Sequence, residues 1–204
     1  FIMVNDLDNI IDIGCGQGYF LENLMVNKKK AFGIDLSVEQ IKACHERNLD
    51  AQVMALENVT KKFDCATAIF DVLNYIPRKE LKAFITQTNI VLNQGAYFIF
   101  DVNSYFGFDE VAQGTITIDN DDMFIAIDAN FEDDKLQTDI TLFTKEENGL
   151  FSKESDTIIQ EYHSKEYLTK LLKECGFEIQ EIRDFFLHTD EIADKLIFIC
   201  KKIA

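Results

Sequence analysis

Apolar residues along this chain follow two rhythms, and the change between them divides it. From Asn9 to Val102, short β-branched or aromatic runs alternate with segments whose apolar residues recur every third or fourth position. Asn9 to Ile13 reads as a buried strand, broken only by Asp12. A helix follows from Gly18 to Val26, with Phe20, Leu21, Leu24 and Met25 as its apolar face. Ala31 to Asp35 is a second short strand. Ser37-Val38-Glu39-Gln40 has the form of a capping box, in which Ser37 accepts from the Gln40 amide while the Gln40 side chain reaches back. The helix it opens runs to Asn48 and turns Val38, Ile41 and Cys44 inward. Ala51 to Ala55 is a third, weaker strand. Phe63 to Phe70, apolar on both faces, is a fourth and belongs at the centre of a sheet. Pro77, the only proline, introduces a helix to Leu92 with Leu81, Phe84, Ile85 and Thr88 at helical spacing. Gln94-Gly95 ends it, and Ala96 to Val102 is a fifth strand. Strands alternating with helices predict a parallel sheet with right-handed crossovers.

After Asp101 strands follow strands. Thr115 to Ile118, Phe124 to Phe131, Leu136 to Thr144 and Thr157 to Tyr162 carry the pattern, with turns at Glu132-Asp133-Asp134-Lys135 and at the hairpin signal Asn148-Gly149. This predicts an antiparallel insertion over residues 105–162, set into a core made of 1–104 and 163–204. An insertion at the carboxyl end of a parallel sheet is placed to cover a ligand crevice. The helical pattern resumes at Ser164, with Tyr167, Leu168, Leu171, Leu172 and Cys175 buried and Gly176 as its stop. Phe177 to Leu187 and Lys195 to Lys201 close the sheet as a hairpin around Thr189-Asp190-Glu191.

Composition narrows the partners. Asp and Glu number 36 against 20 Lys and Arg, and the one basic run, Lys28-Lys29-Lys30, falls in a turn. A phosphate backbone is a poor partner for such a chain. The five cysteines are widely spaced and never form C-x-x-C, which suits buried thiols in a reducing compartment. No apolar run spans a bilayer and no signal pattern precedes the first strand, so a soluble cytoplasmic protein, monomer or homodimer, is expected. No spacing of His, Cys or carboxylates suggests a metal site.

Chemistry concentrates at Asp12-Ile13-Gly14-Cys15-Gly16-Gln17-Gly18-Tyr19. A strand, a glycine turn and a helix in that order surround a pocket with backbone amides. The spacing is Gly-x-Gly-x-Gly, so the third glycine of a dinucleotide fingerprint would have to be Tyr19. A phosphate loop is excluded, because no Gly-Lys-Ser or Gly-Lys-Thr follows.

The stretch Ile11 to Gly18 resembles the first motif of the class I S-adenosylmethionine-dependent methyltransferases. Phe32-Gly33-Ile34-Asp35-Leu36-Ser37 resembles that family's second strand with its terminal acid. Phe63-Asp64 opens the fourth strand as in the family, and Leu172-Lys173-Glu174-Cys175-Gly176-Phe177 resembles its helix-to-strand signature. The resemblance covers almost the whole chain. It implies a Rossmann-like, doubly wound α/β fold: a mostly parallel seven-stranded sheet with a C-terminal antiparallel hairpin, here with the β insertion added. It also implies S-adenosylmethionine as cofactor and S-adenosylhomocysteine as product. Members usually carry a helical segment before the first strand; here only Phe1 to Leu7 precede it. A trimmed chain, a start at Met3, or a lid formed by the insertion alone would each account for that.

Site residues follow. Asp35 is expected to accept the ribose hydroxyls, and Gly14, Cys15, Gly16 and Gly18 to let the methionine portion approach. Asp12, a buried carboxylate that needs partners, is expected to order the glycine turn and to reach the ammonium group through water. Leu36 is expected to lie against adenine, with Leu56 and Glu57 beside it and Phe70 also among the cofactor contacts. Phe70-Asp71-Val72-Leu73-Asn74-Tyr75 lies where an acceptor would meet the methyl group, and lacks the Pro-Pro signature of the exocyclic-amine DNA enzymes. It resembles instead a subgroup with an inserted antiparallel subdomain, some of which methylate amino sugars on nucleotide carriers. Asp71 and Tyr75 are the expected catalytic pair, with Asn103, Tyr105 and His163 on the far wall. His45 is expected to be solvated, and His188 to sit near the sheet's carboxyl edge. The expected reaction is methyl transfer to a nitrogen or oxygen of a small molecule. Two rivals stand beside it: a non-catalytic domain that holds the cofactor, and a nicotinamide-dependent oxidoreductase.

Overall fold

The computed structural model describes residues 1–189 and 191–203; Asp190, expected in the last hairpin turn, lies outside the described residues. The core strands are β1 (Ile10–Ile13), β2 (Ala31–Asp35), β3 (Ala51–Val53), β4 (Phe63–Ala68) and β5 (Leu92–Asn103). They are joined by α1 (Tyr19–Val26), α2 (Val38–Glu46) and α3 (Arg78–Val91). A second group follows: β6 (Gly114–Asn120), β7 (Met123–Glu132), β8 (Lys135–Lys145) and β9 (Phe151–Glu161). The chain returns through α4 (Lys165–Glu174) to β10 (Phe177–Phe185) and β11 (Lys195–Lys202).

The main sheet runs β10-β11-β5-β4-β1-β2-β3, so β4 is the middle strand. β1, β2, β3, β4 and β5 pair in parallel, while β11 runs antiparallel to both β5 and β10. β1 is buried along its length, which is why Ile10, Ile11 and Ile13 are apolar without alternation and Asp12 is a buried carboxylate among them. From β1 the chain moves outward to β2 and β3; it then returns to β4 on β1's other side. That reversal opens a crevice at the strands' carboxyl ends. Behind it the core is aromatic: Phe98 packs on Phe100 and Phe177, and Phe100 stacks on Phe198 at 4.9 Å.

β6 to β9 form a separate four-stranded antiparallel sheet. A π-helical turn, Gly107–Ala112, carries fully buried Phe108 against Phe131, Ala129, Leu136 and Tyr162. That cluster anchors one end of the sheet, where Gln160 beside Leu136 is also buried, and the rest is half-buried or exposed.

Several local expectations change. The fourth strand stops at Ala68, and Phe70 lies in a turn with φ 67°. The strand expected at Thr157 begins at Phe151, and five residues separate it from β8, so Gly149 sits in a longer loop than a two-residue hairpin. Met25 and Val38 face solvent, at 47% and 61% exposure, because short helices leave their rims uncovered. Half of the capping box forms: Ser37 Oγ accepts from the Gln40 amide at 3.3 Å. The Ser37 amide donates to Asp35 Oδ1 at 2.9 Å instead, which leaves the buried Gln40 Oε1 without a partner.

Candidate functional site

The crevice encloses about 1080 Å³ between the glycine turn after β1, the end of β2, the Met54–Glu57 segment, the turn after β4 and one face of α3. Gly18 caps α1 with φ 80°, and a Cβ there would lie 2.4 Å from Leu49 Cδ1, so only glycine lets the turn close. Gly16, at φ 53°, has open space where a Cβ would stand, and that space belongs to the crevice. A ligand can therefore lie directly on the backbone.

Four amides of this turn are already used. Those of Gly14 and Cys15 donate to Ile34 O, that of Gly18 to Cys15 O, and that of Gly16 to Asp35 Oδ2 at 2.9 Å. A phosphate cradle needs such amides free, and these four are not. Asp35 instead binds the glycine turn through one oxygen and the start of α2 through the other, and each oxygen keeps a lone pair.

Asp12 lines the same crevice although it is 2% exposed. Contrary to expectation it makes no bond to the glycine turn: its Oδ1 accepts from Thr67 Oγ1 on β4 at 2.6 Å. Burial, helped by the nearby Asp35 charge and opposed by Thr67, pushes its carboxyl up to about 7. Burial also drives the Cys15 thiol far above its usual value, which leaves it a neutral, unreactive lining group. Leu36, at 75% exposure, and buried Leu56 supply apolar walls, and Glu57 stands at the rim. Four lining residues are carboxylates (Asp12, Asp35, Glu57 and Glu80); among the described residues, none of the lining is Lys, Arg or His.

The turn after β4 brings Phe70 and Tyr75 to the crevice but not Asp71. Asp71 faces away, in contact with the Lys195 ammonium, which also lies 3.0 Å from Asp101 Oδ2. Tyr75, 51% exposed, has its phenol pushed up by partial burial and by Asp71, against the pull of Lys195. Gly18, Asn103, Tyr105 and His163 are also absent from the lining. Tyr105 packs edge-on against Phe131 and Tyr162 in the β insertion. The Asn103 amide donates to Asn74 Oδ1, and Asn74 Nδ2 donates to Glu161 O, so buried Asn74 ties the turn to both ends of the insertion.

His163 corrects an expectation. It is 1% exposed, with Nε2 within 3.1 Å of Leu73 O and 3.2 Å of Ile76 O, so it braces the turn and cannot touch an acceptor. Burial lowers its pKa and keeps it neutral. His45 is exposed as expected, though bonded to Ala51 O. His188 pairs with buried Asp194 at 2.8 Å. Thr67 and Lys195 were illegible as site residues, since a threonine and a strand-end lysine are common anywhere; Asn74 stood in the expected acceptor stretch, but its ties to Asn103 and Glu161 were not legible. Among the described residues no group of side chains could hold a metal ion, and no helix is long and apolar enough to cross a membrane.

A family model described as a methyltransferase domain matches residues 5–182. The chain belongs to the class I S-adenosylmethionine-dependent methyltransferases. A Geobacillus sp. (strain WCH70) protein, named only provisionally as a methyltransferase, is 26% identical over 208 residues, which are 95% of this chain and 84% of that one. An S-adenosylmethionine-dependent methyltransferase from Clostridium acetobutylicum superposes with TM-score 0.84 at 24% identity, over 100% of this chain and 88% of its own. The S-adenosylmethionine-bound amino pentose methyltransferase CalS10 of Micromonospora echinaspora superposes with TM-score 0.74 at 15% identity, over 97% and 84%. These likenesses carry the fold. The family's cofactor is S-adenosylmethionine, and the crevice of this methyltransferase fits it: a sulfonium cation suits a lining with four carboxylates and, among the described residues, no facing Lys, Arg or His, and the apolar walls suit an adenine ring.

Proposed function

We propose that this methyltransferase transfers a methyl group from S-adenosylmethionine to a nitrogen or oxygen of a small molecule. The observation that carries the reading is a crevice with four carboxylates and, among the described residues, no lining Lys, Arg or His, set on a glycine turn that Asp35 ties to the start of α2. Asp35 would hold the ribose, Gly14, Cys15 and Gly16 the methionine portion, and Leu36, Leu56 and Phe70 the adenine. Gly18 keeps the turn closed, Asp12 supplies negative charge near the ammonium group, and Glu57 is a rim contact.

When bound, the cofactor supplies an electrophilic methyl group that an acceptor lone pair displaces in line. The chain's own part is positioning and charge. Tyr75, held protonated, donates a hydrogen bond to the acceptor, and Asp71 influences that phenol from behind. A protonated phenol is no general base, which favours an amine that arrives neutral over a hydroxyl that must lose a proton. Asn103 and Tyr105 belong to the insertion's root and shape the acceptor side indirectly.

Residues 105–162 form an inserted unit, by this reading a lid and acceptor region, in a core of 1–104 and 163–204. The insertion carries fifteen acidic residues against three lysines. Such a field repels nucleic acid and phosphorylated acceptors and attracts cations. The sugar methyltransferases among the structural relatives support a small-molecule acceptor. A cytoplasmic monomer or homodimer completes the proposal.

Calorimetry with S-adenosylhomocysteine and with NAD tests it. Heat from NAD alone would sink the reading, and family membership already weighs against the oxidoreductase. Stoichiometric binding with no turnover on any pool of cell metabolites would favour the non-catalytic rival.

A further inference from the structure

Phe70 and Asp71 are consecutive non-glycine residues in the left-handed backbone region, at φ 67° and 62°. Side chains resist that conformation, and two in a row persist only where neighbours impose it. The neighbour here is Asp101 at the end of β5. Its Oδ1 accepts from the Phe70 amide at 2.7 Å and its Oδ2 from the Asp71 amide at 3.3 Å. Those bonds draw the Asp101 carboxylate toward that of Asp71. Two like charges with side chains only 9% and 19% exposed cannot share such a place unaided.

Lys195 resolves the conflict. It enters from β11, paired in register with Asn103, and its ammonium contacts both carboxylates with its own side chain 16% exposed. Burial opposes its charge, but Asp101 and Asp71 outweigh burial and raise its pKa. The turn so held carries Phe70, Val72 and Tyr75, all of which line the crevice. It also abuts the glycine turn, since a Cβ at Gly14 would lie 2.9 Å from Val72 Cγ2.

We propose that Lys195 is a positioning residue of the cofactor site: through Asp101 and Asp71 it latches the Phe70–Asp71 turn in its strained backbone, and so sets a wall of the crevice it never touches. The proposal rests on the cofactor reading, and its test separates the two. The chain has no tryptophan, so Phe70→Trp places a single fluorophore on the turn. In that background the indole stands in solvent, as Phe70 does at 66% exposure, so mobility rather than access is read: Lys195→Met is expected to lower its steady-state fluorescence anisotropy by about a third or more, with no ligand present. In the otherwise natural chain, Lys195→Met is expected to weaken S-adenosylhomocysteine binding by about tenfold or more in calorimetry. The distinguishing measurement is rescue. In the Asp71→Gly, Lys195→Met double variant a glycine adopts the left-handed turn freely and the second carboxylate is gone, so affinity is expected within about threefold of wild type. The Asp71→Ala, Lys195→Met variant removes the same charge but keeps a side chain at the strained position, so it is expected to recover less than the glycine variant, and equal recovery overturns the latch. Lys195→Met binding within about twofold of wild type, or a glycine double variant that fails to recover or to fold, overturns the proposal. Where Lys195→Met alone does not fold, the glycine double variant carries the test. If the natural chain binds no S-adenosylhomocysteine, the cofactor reading fails, and the fluorescence arm alone decides the latch.

Discussion

Asp12 costs this methyltransferase stability in the absence of cofactor. Its carboxyl is buried against Thr67 with the Asp35 charge close by, and its pKa rises from 3.8 to about 7. Below the unfolded value both states hold the proton, and the group costs nothing. Between the two values the folded state keeps the proton that the unfolded chain releases, so stability falls as pH rises through that window. Above about pH 7 the loss is complete, and the rise in pKa is worth about 4 kcal/mol. Asp12→Asn removes the titration while its amide oxygen can still accept from Thr67. The ligand-free variant is expected to be more stable than wild type by about 4 kcal/mol near pH 8, a gain of roughly 8–16 °C in Tm for a chain of this size, with little difference near pH 4. Thermal unfolding of both proteins across that range measures it. A Tm gap that stays constant from about pH 4 to pH 8 would refute the reasoning. With saturating S-adenosylmethionine the order should narrow or reverse, because the cation rewards the ionised carboxylate that the variant lacks.

Three further outcomes follow from the geometry. Asp35→Ala removes an acceptor of two backbone amides and the expected ribose contact, so S-adenosylhomocysteine affinity should fall by about tenfold or more; wild-type affinity in calorimetry would refute the ribose assignment. Phe108→Ala empties the fully buried anchor of the inserted sheet and should cost about 3–5 kcal/mol in denaturant unfolding, with amide exchange accelerating first in β6 to β9. His163 is buried neutral with its pKa lowered from 6.5, so the unfolded chain binds its proton more readily and stability is lost as pH falls below 6.5. His163→Gln should flatten that acid limb of the stability profile, and an unchanged limb would show that other groups cause it.

Legibility in the sequence followed the range of the interactions. β1, α1, β2, α2 and α3 could be read because a buried strand or an amphipathic helix needs its apolar residues at fixed local spacing. The order of β4 within the sheet was legible from its two apolar faces. The glycine turn and Asp35 were legible because a tight turn beside a strand end constrains residue type. Strand ends and helix rims were misread at Phe70, Met25 and Val38, where solvent or a tertiary partner, not periodicity, decides. His163 carried no signal of burial, because a histidine looks the same in sequence whether it meets a ligand or two carbonyls.

The sequence by itself pointed to a parallel α/β sheet with a switch-point crevice and an antiparallel insertion, since each rests on short-range patterns, and its resemblance to a family pointed to the cofactor. Only the tertiary structure decided that Asp12 answers to Thr67 across 55 residues, that Asn74 ties the turn after β4 to both roots of the insertion, and that Asp71 turns from the crevice to Lys195, 124 residues away. The reason is physical. Charge pairing and burial depend on which distant segments the fold brings within a few ångströms, and side chains of one type serve many such meetings.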